Sequence, residues 1–409
     1  MTNDVIIIGA GPAGLSAAIT CAKHGMNVVV IDEYYKPGGR LLGQLYEEPD
    51  GSWWNGIKES DKLYNQAINS GVQLKLSVPV INIERQGTEW NVFTNMETLQ
   101  ANNLLVATGA AESPAPVPGW TLPGVMSVGA AQVMTNVQRV KPGEKGIIIG
   151  VNVLSAAIAQ ELKLANISVE SMTLPKINSM NHDYAIPKNV VNSLLHVSHL
   201  SPSPIIKIGS NLMKYKLINK LALKFYPNKG IKMWDIPIQL KKAVTQIYGT
   251  DKVEGVTIAN VDDYGQIIPK SEKSIEVDFV CISGGLYPLA ELAAIAGCPF
   301  YMIEELGGYV PLHNERMETP LSGLFVAGNI TGIEGAKVAA AQGTVAGLSI
   351  VNNTLNSAFE FELEEAIKQV RIIREENPIQ FHPHIQNGRK KMQKYWNEYF
   401  ANNQESFII

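Results

Sequence analysis

Residues 4–18 read DVIIIGAGPAGLSAA, a β-branched run that breaks into glycines and resumes with small residues. Val5 to Ile8 fit a parallel strand buried on both faces, and Leu15 to Ala22 fit the helix that follows it. Between them Gly9 permits a tight turn, Gly11 lets the backbone approach a pyrophosphate, and Gly14 lets helix and strand pack closely. Pro12 and Ala13 belong to the same turn. Phosphates placed there meet the positive end of the helix, where free N–H groups point at them.

The parts that such a site needs continue outward from this turn. A second strand, Asn27 to Ile31, ends in Asp32 and Glu33, where a carboxylate accepts hydrogen bonds from a ribose hydroxyl. Residues 37–40, PGGR, give a loop of little bulk near the phosphate and sugar that holds Gly39 and ends in Arg40; Gln44 follows, and Val80 is taken with the same cofactor-contacting set. Residues 104–110, LLVATGA, supply a strand and a Thr108–Gly109 turn. Far along the chain, residues 323–347 read GLFVAGNITGIEGAKVAAAQGTVAG, a strand ending in Gly328 and Asn329 and then a small-residue helix opening at Gly335, Ala336 and Lys337. Two motifs so far apart converging on one ligand suit FAD, which is long enough to need both. Arg40 is then a candidate to steady negative charge on reduced flavin or bind a carboxylate, or else a surface ion-pair partner.

The expected fold is therefore α/β, with two Rossmann-like three-layer dinucleotide-binding domains of which the FAD domain is discontinuous. The expected boundaries are 1–112 for its first part, 113–249 for a degenerate NAD(P)-binding-like domain with a basic helical insert, 250–352 for its second part and 353–409 for a helical tail.

This combination resembles the two-dinucleotide-binding-domain flavoproteins, the superfamily of glutathione and thioredoxin reductases. More narrowly, residues 117–132, VPGWTLPGVMSVGAAQ, together with the 323–347 stretch, resemble the FAD-containing α subunits of heteromeric amino-acid dehydrogenases and oxidases. That group includes opine oxidases, D-hydroxyproline and L-proline dehydrogenases, sarcosine oxidase and hydrogen cyanide synthase. The resemblance implies bound FAD, a partner flavoprotein of β type that oxidises the substrate, and electron transfer through this chain. It also implies that the helix start near Gly335, with Lys337, favours negative charge at the flavin N1–C2=O edge.

Three features depart from that pattern. Asn329 stands where the resembled strand ends in an acid; its amide oxygen still accepts a ribityl hydroxyl, but the charge is gone. The three cysteines, Cys21, Cys281 and Cys298, form no Cys-x-x-Cys or Cys-x4-Cys pair, which excludes the dithiol chemistry of the disulfide reductases. Several relatives carry a cysteine-rich segment for an iron–sulfur cluster; here any cluster belongs to a partner, such as a small iron–sulfur protein.

Residues 146–162, GIIIGVNVLSAAIAQEL, repeat the strand–turn–helix pattern but replace two glycines by Asn152 and Ser155. A Cβ at the second position obstructs the approach to pyrophosphate, so tight NAD(P) binding is doubtful. A weakened nucleotide site and a domain kept as scaffold are the two readings.

With 45% hydrophobic and 18% charged residues among 409, the chain is an ordinary globular one, and a net charge of −4 gives no global attraction to nucleic acid. Sparse cysteine fits a reducing, cytoplasmic setting. The apolar N-terminus lacks the basic flank of a signal peptide, and the apolar stretch from Phe279 to Ile303 is interrupted by Gly284, Gly285, Pro288 and Glu291. Residues 213–225, MKYKLINKLALKF, fit a basic amphipathic helix, a solvated face or a contact for an acidic partner or a peripheral membrane surface. His382 and His384 lack an acid cluster, so no metal site is expected. Trp53 and Trp54 are candidates to wall a flavin face, against the commoner fate of core packing. Tyr395, Trp396, Tyr399 and Phe400 either fold back on the core or meet a partner.

No nucleophile–base pair identifies a catalytic residue. The leading expectation is an FAD-binding subunit of α type that works on proline, hydroxyproline, sarcosine, glycine or an opine through its partner. A stand-alone NAD(P)H-dependent flavin reductase and a flavin-stabilised, non-enzymatic scaffold are the alternatives.

Overall fold

The strand Asn3–Ile8 lies inside a parallel array, with Ile8 opposite Ile31 on one side and Val106 on the other. The structure is a computed structural model that describes residues 3–48, 50–195, 226–376, 381–382 and 384–405. The chain divides into two compact units, Met1–Leu42 with Asn55–Ala111 and Leu286–Ile409, and Gly43–Trp54 with Glu112–Gly285.

In the first unit the order across the sheet is Gln73–Leu76, Val28–Asp32, Asn3–Ile8 and Thr98–Val106, all parallel, and Leu324–Val326 runs parallel to the end of the last. Alternation sorts the side chains. Val5, Ile7, Val28, Val30, Leu105 and Phe325 face the helices Pro12–Lys23 and Ala336–Thr354, while Ile6, Ile8, Val29, Ile31, Leu104 and Val106 form the opposite core with Ile83, Trp90 and Val92 of an antiparallel extension. Each fully buried aliphatic side chain contributes about 1.5–3 kcal/mol. The two helices approach without side chains between them: a Cβ on Gly343 would lie 2.0 Å from the Ala13 carbonyl oxygen, and one on Gly347 would lie 2.8 Å from Thr20 Cβ.

The second unit repeats the plan. Val125–Ser127, Phe279–Ile282, Lys145–Ile149, Ser168–Pro175 and Ile236–Tyr248 are parallel neighbours in that order, and Gly255–Asn260 and Lys273–Glu276 extend the sheet antiparallel. Two Rossmann-like α/β units with a discontinuous first unit are thus observed. The boundary expected at 249/250 is corrected, because Phe279–Ile282 is a fully buried strand within the second sheet and the strands before it pair there too. The first unit resumes at Leu286.

The tail folds back on the first unit. Its helices are Glu360–Glu376 and Ile385–Glu405, and Tyr395, Trp396 and Tyr399 pack with Ile303, Leu306, Val310 and Leu312. Tyr395 stacks on Tyr301 at 4.4 Å, and Phe400 stays 40% exposed. The basic helix expected at 213–225 lies outside the described residues.

Candidate functional site

The first turn is shaped by what its glycines meet. Gly9 has φ +107, and a Cβ there would strike the Ala107 carbonyl oxygen at 2.4 Å; a Cβ on Gly14 would strike the Gly9 carbonyl at 1.9 Å. Gly11 is different: its φ is −77, and a Cβ would meet nothing within 4 Å. So Gly9 and Gly14 are required by packing, and Gly11 borders open space. Gly11 is also the N-cap of Pro12–Lys23, so no side chain caps the free N–H groups that follow Pro12 in the first turn of that helix.

Other predicted residues lie against the same turn or border open space of their own. Gly38 donates its N–H to the Ala10 carbonyl at 2.7 Å, and a Cβ on Gly39 would meet only the Gly11 Cα, at 3.5 Å. Gly109, at φ +80, also borders open space, and Thr108 anchors the turn by donating to the Leu289 carbonyl at 2.5 Å. Gly328 sits where a Cβ would meet Ala13 Cβ at 2.9 Å. Asp32 accepts the Ala10 N–H at 2.6 Å through one oxygen and the Tyr34 N–H at 2.8 Å through the other. Each carboxylate oxygen keeps a second lone pair for a ribose hydroxyl. Burial pushes this carboxyl up, while those two N–H groups pull it down.

Not every expected residue joins them. Glu33 is exposed. Val80 begins the strand Val80–Gln86, two residues beyond Val78, whose N–H meets the Asp32 carbonyl. Arg40 donates from Nε to the Ala110 carbonyl at 2.9 Å. Gln44 belongs to the second unit, where its side-chain oxygen accepts the Trp54 indole N–H at 3.1 Å. Trp53 is half exposed.

At the far motif, Asn329 turns its amide oxygen back to accept the Glu334 N–H at 3.1 Å. Gly335 is the N-cap of the 19-residue helix Ala336–Thr354 and again gives no side-chain cap; Ala336 and the exposed Lys337 begin its first turn. The segment between is held by groups that no motif announced. The buried Glu334 binds both Arg374 and Arg389 of the tail, with Arg374 Nε 2.5 Å from its carboxylate. Arg389 also donates to the Thr331 carbonyl at 2.8 Å, and His313 Nε2 lies 3.2 Å from its guanidinium.

The second turn is closed by its own side chains. Gly150 keeps φ +107, and a Cβ there would strike the Ser283 carbonyl at 1.9 Å. Asn152, the N-cap of Val153–Leu164, accepts the Ser155 N–H at 3.0 Å; Ser155 Oγ in return accepts the Asn152 N–H at 2.9 Å. Asn152 Nδ2 donates to Ser283 Oγ at 3.0 Å. This capping box occupies donors that a phosphate would use.

One further buried acid lies in the second unit. Glu161 accepts the Leu45 N–H at 3.1 Å, Gln132 Nε2 at 2.8 Å and Asn136 Nδ2 at 2.9 Å, and Asn136 also donates to the Gly43 carbonyl. Burial pushes its carboxyl up to about 8, against the pull of those three donors. All three cysteines are buried and free, with thiols pushed up by burial, to about 12 for Cys21 and Cys298. Among the described residues there is no cluster of histidine, cysteine and acid able to hold a metal, and no helix long and apolar enough to cross a membrane.

Open space lined by glycines, two uncapped helix starts and a carboxylate at the end of the second strand fit FAD, and the paired α/β units define a flavoprotein of the two-dinucleotide-domain class. A model of the pyridine nucleotide-disulphide oxidoreductase family matches residues 3–343, and the chain belongs to that family as an FAD-dependent oxidoreductase. An opine oxidase subunit of Agrobacterium tumefaciens is 26% identical over 360 residues, which cover 85% of this chain and 65% of that protein. Hydrogen cyanide synthase subunit HcnB of Pseudomonas aeruginosa is 25% identical over 355 residues, covering 85% and 70%. Among solved structures, L-proline dehydrogenase from P. horikoshii shares the fold with a TM-score of 0.62 at 18% identity, over 89% of this chain and 59% of that one. The chain therefore spans about two thirds of the length of these two curated relatives.

Proposed function

We propose that this chain is the FAD-binding subunit, of α type, in a heteromeric oxidoreductase acting on a secondary amine or amino acid of the proline, hydroxyproline, sarcosine, glycine or opine class. Substrate oxidation falls to a second, β-type flavoprotein, and this chain carries electrons onward, to a small iron–sulfur protein or another acceptor. The observation that carries the reading is the contrast between the two turns: the first leaves its helix N–H groups to a ligand, and the second consumes the equivalent groups within the Asn152–Ser155 box. At the second turn a nicotinamide donor meets N–H groups already engaged, and the buried cysteines supply no dithiol, so in this reading the electrons arrive from elsewhere.

Bound FAD supplies the two-electron chemistry. The chain's own residues hold it. The Gly9–Gly14 turn and Gly39 would receive the pyrophosphate, Asp32 the ribose, Asn329 the ribityl chain, and the helix start at Ala336 the edge where negative charge collects. Similarity to hydrogen cyanide synthase subunit HcnB and to the opine oxidase protein supports assembly with a partner.

The test is anaerobic exposure of the purified chain to proline, hydroxyproline, sarcosine, glycine and an opine, alone and with a co-expressed partner flavoprotein, following flavin absorbance. The expected result is no bleaching alone and bleaching with the partner. Rapid bleaching of the isolated chain by one of these substrates would overturn the division of labour.

A further inference from the structure

The tail brings two guanidinium groups to one carboxylate immediately before the N-cap of Ala336–Thr354. Glu334 is 8% exposed and Arg374 8%. Burial opposes ionisation of Glu334, but Arg389 and Arg374 outweigh it and hold its carboxyl below the usual range. The fourth member, His313, is pushed down to about 3 by burial and then by Arg389, so it is neutral; its Nδ1 lies 2.7 Å from the Pro311 carbonyl. Counted together, the cluster holds one negative and two positive charges. A net positive charge is thus largely buried, with the Arg389 side chain 14% exposed, beside a helix start that is itself positive and carries no side-chain cap.

We propose that Glu334, Arg374 and Arg389 are positioning residues that set the reduction potential of the bound FAD by adding to the positive field at the start of Ala336–Thr354. The proposal rests on FAD occupying the opening described above. Removing a guanidinium withdraws positive charge and disfavours the reduced, more negative flavin; removing the carboxylate does the reverse. Largely buried charges are screened less than exposed ones, so a single unit matters. The network also ties Thr331 and Glu334 in place, so a purely structural role would instead loosen the segment whichever member is lost.

The experiment measures FAD content first, then the two-electron midpoint potential by dye equilibration, in the wild type and in Arg374→Gln, Arg389→Gln, Glu334→Gln and Arg389→Lys. The expected pattern is a fall for each Arg→Gln variant by about tenfold in the redox equilibrium, about 30 mV, a rise for Glu334→Gln, and a value near wild type for Arg389→Lys. Shifts of one sign in all variants, unchanged potentials, or a displaced potential in Arg389→Lys would overturn the proposal. If one Arg→Gln variant fails to fold, the other and Glu334→Gln decide by the opposite signs of their shifts, with Arg389→Lys as the control that keeps the charge and alters the geometry. Wild-type chain purified and reconstituted without taking up FAD would instead overturn the cofactor reading itself.

Discussion

Asn152 and Ser155 cap each other across the first turn of Val153–Leu164, each side chain accepting the other's backbone N–H at about 3 Å. An N-cap of this kind contributes about 1 kcal/mol. A phosphate arriving at this turn must displace a bond already made, whereas at Gly11 it meets none. NADH and NADPH are therefore expected to leave the flavin oxidised in an anaerobic titration, and Asn152→Ala is expected to lower the unfolding free energy by about 1 kcal/mol in denaturant. Rapid bleaching by either nucleotide would show that the box opens to admit a nicotinamide.

The glycines separate into two experimental classes. Gly11 has an extended backbone that any residue adopts and borders open space, so Gly11→Val should fold with an unchanged melting temperature and lose FAD affinity by more than about tenfold. Gly343→Ala should behave in the opposite order, because its methyl would lie 2.0 Å from the Ala13 carbonyl oxygen. Overpacking of this sort costs about 1–3 kcal/mol, read from denaturation of the apoprotein.

Glu161 predicts a pH dependence. Its carboxyl is pushed from 4.5 to about 8 on folding, so between those values the folded chain holds a proton that the unfolded chain has released. Stability contributed by this group falls as pH rises through that window and levels off above it, with a slope of at most about 1.4 kcal/mol per pH unit. Unfolding free energies at pH 5 and pH 8 should differ more in the wild type than in Glu161→Gln. Equal differences would mean that the three N–H donors keep the carboxyl ionised throughout.

The cysteines should be silent. Burial raises all three thiols, with Cys281 raised furthest, so a thiol reagent at pH 8 should modify none within minutes in the native protein and three in denaturant. A native cysteine that reacts quickly and changes the flavin spectrum would reopen dithiol chemistry.

The first site was legible because its parts are local: one turn holds Gly9, Gly11 and Gly14, and the strand–helix periods on either side name their own structure. The same locality made Asn152 and Ser155 visible as replacements, although only the folded chain reveals that they bond to each other. The Glu334 network was illegible, because its guanidinium groups come from 40 and 55 residues away on the two helices of the tail. Glu161 left a faint sign, a single acid closing the apolar run AAIAQEL. The 285/286 boundary left none. The short strands between 255 and 282 are legible as apolar segments, but nothing in them states which sheet receives them.

The discontinuity of the first unit also sets an order of events during synthesis. When residue 285 has been added, every described strand of the second sheet exists, while the first sheet still lacks Leu324–Val326 and its first helix lacks the partner helix Ala336–Thr354. The second unit is complete in a nascent chain whose first unit is not, and the Gly9–Gly14 turn waits for Ala336–Thr354 to be made before it can grip a cofactor.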